Sequence, residues 1–471
     1  MSSSDMDMVA EATEQGQRRA ALYRSVWRWH FYAGLFVAPI LLMLAVTGAL
    51  YLFDREIESI VYADLMDVVP QAAMQSASAQ EAAVLAAAPG GQVTRYIPGR
   101  DVAKAHEWTV RMPDGPARTY FVDPYTAKIK GSIRADRRLM AIVGDLHGEL
   151  MVGKVGDWLV ELAACWTFVL LVTGLFLWWP RRATLRGTLV PRLAAKGRLW
   201  WRDLHAVPAF LNVFLVAFLI LSGLPWAGFW GGQLASLGTL SAATAPTPNF
   251  GAEPPRKGSV DLHAEHGGAE AAPAGPPHDP NNRDIPWAVR HAAPPAGSGA
   301  GPVGIDQVMA TLAERGVTGP KLRLFYPQGP EGLYMASMIP DRAQEQRTVY
   351  IDPANGQVLD DIGWDRYSPL GKVVEWNTMA HMGRQFGLLN QLIGLASCLF
   401  IVMTVVTGVV MWWKRRPAGG GVAAPKHLAG RRIPWGFWPA IVGLSILFPM
   451  VGGSLMAVLA IDTGWRKLRT A

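Results

Sequence analysis

Four histidines stand at the mouths of four hydrophobic segments, and they fall into two matched sets. Thr173-Gly174 lies 26 and 27 residues after His147, and Trp178-Trp179 lies 31 and 32 after it. His381 is followed at the same four offsets by Thr407-Gly408 and Trp412-Trp413. Lys414-Arg415-Arg416 then stands where the first copy has Pro180-Arg181-Arg182. His30 is followed 17 and 18 residues later by Thr47-Gly48, and His205 at the same distances by Ser222-Gly223. Each half of the chain therefore carries the same helix pair, with one histidine per helix. Neutral imidazole is a common axial ligand of haem iron. A single histidine at a span mouth is ordinary interface chemistry; four at duplicated offsets point to a duplicated four-helix haem cage in a membrane.

Composition fits a membrane protein with polar parts attached. Half of the 471 residues are hydrophobic, yet 17% are charged, so spanning segments alternate with polar domains. Apolar stretches at 31–53, 157–179, 207–230, 388–413 and 435–461 are each long enough for a hydrocarbon core of ~30 Å. The first has no small-residue cleavage site and exceeds a secretory h-region, so it reads as an uncleaved anchor. The expected fold is mainly α: a duplicated four-helix transmembrane bundle plus a fifth span. Its spans are 30–53, 147–179, 205–230, 381–413 and 433–461, the last crossing once although Pro449 and Gly452-Gly453 offer a break.

Basic residues set the orientation. Arg18, Arg19, Arg24 and Arg28 lie in the N-terminal segment 1–29. Loop 180–204 holds seven Lys and Arg against one acid, Asp203, and loop 414–432 holds six with no acid. The positive-inside rule makes these three segments cytoplasmic. Residues 54–146 and 231–380 then lie outside, and the tail 462–471, with Arg466, Lys467 and Arg469, is the exception. The net charge of +7 tracks the membrane and is no sign of nucleic acid. Cys165 and Cys398 both sit inside spans, so no disulfide framework supports the outer parts. The chain lacks Cys-x-x-Cys-His, so any haem is b-type, held by axial ligands and packing.

The outer segments repeat as well. Phe121-Val122-Asp123-Pro124-Tyr125-Thr126-Ala127-Lys128-Ile129 matches Tyr350-Ile351-Asp352-Pro353-Ala354-Asn355-Gly356-Gln357-Val358. Each reads as a strand, an Asp-Pro turn and a second strand. A short helical stretch precedes each, at 80–88 and 305–315, giving small α+β modules at 54–146 and 303–380. Residues 231–302 read as a linker, and 239–302 are rich in Ala, Pro and Gly with few large apolar residues.

These hairpins, set between spans that carry His30, His147, His205 and His381, resemble the PepSY-associated transmembrane proteins. Within them the chain is most similar to inner-membrane siderophore reductases of the FoxB type, grouped with the PiuB iron-uptake proteins. The resemblance covers roughly residues 20–415. It implies two PepSY-like periplasmic modules and a di-haem protein of a bacterial inner membrane that reduces ferric iron or ferric siderophores in the periplasm.

Depth pairs the ligands. His30 and His205 open the helices that start at the cytoplasmic face, and His147 and His381 open those that start outside. Two haem b groups, each with two histidines, present no open position to oxygen and favour electron transfer. Arg24, Arg28 and Arg202 are candidates for the propionates of the inner haem and Arg384 for those of the outer one; taken singly, each reads first as a positive-inside or interface residue. Glu161 is an acid inside a span, open to a proton or quinol site and to a pairing with Asn390 or Gln391. Trp166 is a packed aromatic or an aid to electron passage. His106 and His291 are structural or solvated, His263, His266 and His278 are open to loose metal binding but read first as solvated, and His427 is solvated. As one continuous helix, 147–179 would be ~48 Å long, so it must tilt or break near Gly148, Gly153 and Gly156.

The expected activity is electron transfer to periplasmic Fe(III), with a ferric siderophore as substrate. No cytoplasmic loop is large enough for a flavin or nicotinamide domain, so a membrane quinol or a cytoplasmic reductase is the donor. A general b-type electron carrier and a haem-free regulatory or peptide-binding membrane protein are the alternatives.

Overall fold

A computed structural model describes residues 3–180, 185–242, 285–290, 294–297, 301–329, 332–416 and 437–470. In chain order its helices begin with α1 (Ser3–Tyr51), α2 (Asp54–Val61), α3 (Ala63–Met66) and α4 (Ala77–Ala87). Strands β1 (Gln92–Ile97), β2 (His106–Arg111), β3 (Arg118–Val122) and β4 (Ile129–Arg134) follow. Next come α5 (Leu139–Glu149), α6 (Lys154–Trp178), α7 (Arg198–Leu211), α8 (Val213–Gly223), α9 (Gly228–Ala242), α10 (Trp287–Arg290) and α11 (Ile305–Glu314). The second strand set is β5 (Leu322–Phe325), β6 (Tyr334–Met338), β7 (Arg347–Ile351) and β8 (Val358–Gly363). Helices α12 (Pro369–His381), α13 (Leu388–Trp413), α14 (Phe437–Leu447) and α15 (Pro449–Thr470) complete the chain. The chain divides into a helical unit (Met1–Leu52, Asp145–Trp230, Leu392–Ala471) and a sheet unit (Phe53–Gly144, Gly231–Gln391).

Among the described residues three helices are long and apolar enough to cross a membrane: Arg19–Tyr51, Lys154–Trp178 and Leu388–Trp413. Arg198–Leu211 and Val213–Trp226 make a fourth if counted as one bent span. That pair bends by 56°. Pro208 removes a helical N–H one turn before the break, and the buried Asn212 side chain donates to Ser397 O on α13 at 3.0 Å. The expected single helix over 205–230 is therefore two.

The stretch expected as one helix over 147–179 also breaks. Leu150 and Met151 take φ of 52° and 58° and Gly153 61°, so the chain turns between α5 and α6. A Cβ on Gly156 would overlap the Glu149 carbonyl oxygen, so only glycine permits so tight a fold-back. The span expected over 381–413 divides in the same way, at the turn between α12 and α13. The fifth segment is no single crossing helix either. It breaks at Phe448, and a Cβ on Gly452 would lie 2.8 Å from Ser445 Cβ, so α15 doubles back on α14. Fully buried Phe448 packs on Phe168 and Trp230 with centroids 5.2 and 6.5 Å away. Trp166 Nε1 donates to Ser454 Oγ at 3.1 Å, so its indole belongs to the packing between α6 and α15.

The sheet unit is built on one eight-stranded antiparallel sheet of order β4-β3-β2-β1-β5-β6-β7-β8. The two strand sets, expected as separate modules, join where Arg95 and Tyr96 pair with Phe325 and Leu324. Both Asp-Pro motifs form hairpin turns. Asp123 Oδ1 accepts from Tyr125 N and Asp352 Oδ1 from Ala354 N, each at 2.9 Å. Ala127 and Gly356, four residues after each aspartate, take φ of 55° and 75°. One sheet face, with Trp108, Leu322, Leu324 and Val349, is covered by apolar residues of α4 and α11. The other carries Phe121, Phe325, Met335 and Tyr350. Ile285 and Val289 are buried in that second layer and Trp287 is buried beside them in the chain, so the expected linker 231–302 contributes to the core at 285–290. Residues 243–284 lie outside the described residues.

Candidate functional site

His30 on α1 and His205 on α7 face each other in the helical unit. Their ring centroids are 6.4 Å apart and their planes stand at 90°. Each ring is half-buried, and each has its Nδ1 engaged. His30 Nδ1 lies 2.9 Å from Thr173 Oγ1 on α6, and His205 Nδ1 lies 2.8 Å from the Thr404 carbonyl oxygen on α13. Glycine sits beside both rings. A Cβ on Gly174 would lie 3.3 Å from His30 Cε1, and one on Gly408 3.2 Å from His205 Cε1.

His147, at the end of α5, has the same surroundings. Its Nδ1 lies 2.8 Å from Thr47 Oγ1 on α1, and a Cβ on Gly48 would be 3.5 Å from its Cε1. Helices α1 and α6 pack along each other, so each supplies a threonine-glycine step near one end. Thr47 is 17 residues from His30 on α1, about 25 Å along the axis. Because α5 and α6 are separate helices, this distance along α1, and not the length of an unbroken 147–179 helix, sets the spacing of the His30 and His147 levels. His381 ends α12 in the sheet unit, and Asn390 Nδ2 donates to Ala380 O at 2.9 Å across the turn after it.

The His30–His205 geometry can be tested against haem iron. An imidazole nitrogen binds a first-row metal at about 2.0–2.1 Å, so two rings on opposite sides of one ion have centroids roughly 6.3 Å apart. The observed 6.4 Å fits, and with both Nδ1 atoms engaged the Nε2 atoms remain for a metal. Among the described residues no group of three or more His, Cys, Asp or Glu could hold a metal. A porphyrin supplies the other four ligands of its own iron, so two histidines are the donor set it needs. The residues present fit the group.

The proposed propionate arginines divide. Arg24 is exposed, and the Arg28 guanidinium lies over the Tyr32 ring at 5.7 Å. Arg202 is paired with Asp203 at 2.8 Å, a carboxylate that also takes Arg192 through two nitrogens at 2.7 and 3.0 Å. Asp203 is 1% exposed; the one acid of that basic loop is its anchor, a role its isolation in the sequence hinted at. Arg384 in the sheet unit donates to Asp54 at 2.9 Å. Both Arg202 and Arg384 thus already have carboxylate partners.

Glu161 is placed differently from either expectation. Its two oxygens accept from the backbone N–H groups of Phe229 and Trp230 at 3.0 and 3.1 Å, and Asp157 accepts from Gly228 N at 3.0 Å. Both carboxylates cap the first turn of α9. Asn390 bonds to Ala380 instead.

The tryptophan-basic motif has a structural role at the arginine-rich end. Lys414 lies 5.0 Å from the Trp201 ring, Arg415 5.0 Å from Trp27, and Arg416 5.1 Å from Trp412. Cation–π contacts therefore tie the end of α13 to α1 and α7. In the first copy Trp178 stacks on Phe210 at 3.7 Å with planes 9° apart. Arg181 and Arg182 lie outside the described residues, as do His263, His266, His278, His291 and His427.

The family model for the PepSY-associated TM region matches residues 27–415, an interval that contains all four repeated histidines and both strand sets. The chain belongs to this PepSY-associated transmembrane family. It is a multi-pass membrane protein with a separate antiparallel sheet region. No curated protein matches the chain.

In the sheet unit of this family member, His106 is structural. Its Nδ1 lies 2.9 Å from both Tyr96 Oη and Gln80 Oε1, and burial pulls its pKa down to about 4. Arg138 holds Glu58 and Glu107 through charge-assisted bonds of 2.6–3.1 Å. Burial alone would push the Glu107 carboxyl up, but the Arg138 guanidinium holds it below the usual carboxylate range.

Proposed function

We propose that this protein is a di-haem b oxidoreductase of a bacterial inner membrane, which passes electrons across the bilayer to ferric siderophores or ferric iron in the periplasm and releases Fe(II). The observation that carries the proposal is the facing, perpendicular His30–His205 pair at 6.4 Å with both Nδ1 atoms engaged. Haem b held between two histidines supplies reversible one-electron transfer and offers no open position to oxygen.

His30 and His205 would hold one group. His147 and His381 are assigned the other from the sequence repeat. In this reading α1, α6, α7–α8 and α13 form a duplicated four-helix cage, and the two strand sets are PepSY-like modules on the periplasmic side. Arginines in the N-terminal half of α1, after α13 and before α7 face the cytoplasm by the positive-inside rule. A membrane quinol or a cytoplasmic reductase supplies electrons there. One electron per Fe(III) gives Fe(II), a poorer match for hard anionic oxygen ligands, so iron leaves its chelator. Resemblance to the FoxB-type siderophore reductases supports this choice of acceptor.

The test is purification in detergent, an optical spectrum, haem-to-protein stoichiometry and a stopped-flow reoxidation. Low-spin b-type bands with close to two haems per chain are expected. Mixing the reduced protein with a ferric siderophore should reoxidise it and yield Fe(II) that a ferrous chelator traps. A colourless protein would end the haem assignment. A haem protein that keeps its electrons against several ferric siderophores, yet gives them quickly to another acceptor, would be a general electron carrier.

A further inference from the structure

We infer that an acceptor oxygen and a glycine on the neighbouring helix form a histidine seat, which fixes His30, His147 and His205 as Nδ1–H tautomers, and which at the His30–His205 pair leaves Nε2 as the metal donor and tunes the group held there. The inference rests on the proposed haem reading for its ligand and on the hydrogen-bond geometry for everything else.

The proton on each ring is decided by what its Nδ1 faces. At His205 the partner is the Thr404 carbonyl oxygen, which can only accept, so Nδ1 carries the proton. At His30 the partner is the Thr173 hydroxyl, whose own proton goes to Val169 O at 2.7 Å, one turn back on α6. The oxygen lone pair is what faces the ring. At His147 the arrangement repeats: Thr47 Oγ1 donates to Met43 O at 2.8 Å and accepts from Nδ1. A ring N–H donated to an oxygen fixes the tautomer, orients the ring and makes the opposite nitrogen a stronger donor to metal.

Glycine supplies the other half of the seat. A methyl group at 48, 174 or 408 would stand 3.2–3.5 Å from Cε1 of the seated ring. At 174 and 408 that is closer than ordinary contact, so the bare backbone there lets the imidazole edge lie against the neighbouring helix while Nδ1 reaches the oxygen; at 48 it is an ordinary contact. This accounts for the repeated offsets: the first half needs His30 opposite Thr173-Gly174 and His147 opposite Thr47-Gly48 on antiparallel helices. The second half keeps the glycine but moves the acceptor from a hydroxyl to a backbone carbonyl. Thr407 Oγ1 donates to Met403 O at 2.6 Å and to Thr404 O at 3.1 Å, and is not the acceptor of His205.

The experiment uses the full chain in nanodiscs with nitrogen-15 histidine, first without haem and then titrated with it. Without haem, nitrogen shifts should report Nδ1–H for His30, His147 and His205. Thr173→Val should release His30 to a mixture of tautomers, Thr173→Ser should keep it, and Thr407→Val should leave His205 unchanged. With haem, Thr173→Val should weaken binding at the His30–His205 site by about 10–100-fold and raise its midpoint potential, since the ligand loses electron density. Thr47→Val should act on the His147 site instead. An Nε2–H signal in the wild type, or a Thr173→Val protein with unchanged tautomer, affinity and potential, would overturn the seats. Nδ1–H signals in a protein that takes up no haem would keep the seats and overturn the haem reading.

Discussion

At the scale of single residues, the histidines of this chain divide by what holds them. His30, His147 and His205 each have Nδ1 against an oxygen of a neighbouring helix, the arrangement that orients a metal-binding imidazole. His106 is held between Tyr96 and Gln80 inside the sheet unit, the state of a core residue. Its pKa of about 4, lowered by burial from 6.5, makes a prediction with a definite sign. Between those values the unfolded chain binds more protons than the folded one, so stability is full above pH 6.5 and falls as pH drops toward 4. The loss is about 3 kcal/mol at most. Thermal melts of the sheet unit's circular-dichroism signal in the full chain should fall over that window, and less steeply in His106→Gln, which keeps polar groups for Tyr96 and Gln80. Equal slopes in the two proteins would show that His106 is not the titrating group. Four repeated histidines were legible from spacing alone. The partners of Glu161 and Asp203 were not: Glu161 meets backbone N–H groups 68 and 69 residues away, and those carry no side-chain signature.

At the scale of elements, apolar length identified where helices run but not where they stop. Each break depends on a contact made after folding. Asn212 bonds to Ser397 185 residues on, Gly156 folds against Glu149, and Phe448 is buried among Phe168 and Trp230. Pro208, Gly153 and Pro449 marked the places in the sequence, yet each is also tolerated in an unbroken membrane helix. The contact between α1 and α6 gives a paired prediction. A Cβ at position 34 would meet only Leu170 Cδ2, at 4.0 Å, whereas one at 174 would press on His30 Cε1 at 3.3 Å. Gly34→Ala should leave spectrum and haem content as they are and raise helix stability by up to ~1 kcal/mol. Gly174→Ala should displace the His30 ring by a few tenths of an ångström and shift the low-spin spectrum or lower haem retention. Indistinguishable spectra for the two variants would mean that position 174 is ordinary helix packing.

At the scale of the whole molecule, the sequence repeat showed two halves but not how the strand sets join. The β1–β5 contact rests on two residue pairs between segments some 230 residues apart, and both strands would read equally well as edges. The duplication also leads to the prediction that binds the site to the bilayer. His30 and His205 are in one facing pair, and the Thr47 seat of His147 lies about 25 Å further along α1. If two haems are held, His30→Ala and His205→Ala should each remove or convert the same one, and His147→Ala and His381→Ala the other. Two potentials resolved in a redox titration make the assignment readable variant by variant. In oriented vesicles, a ferric siderophore should be reduced only from the face opposite the arginine-rich loops. His147 and His381 variants should fail at acceptor reduction, while His30 and His205 variants should fail when electrons arrive from the arginine-rich face. Loss of one and the same haem in His30→Ala and His147→Ala would contradict the two levels set by α1.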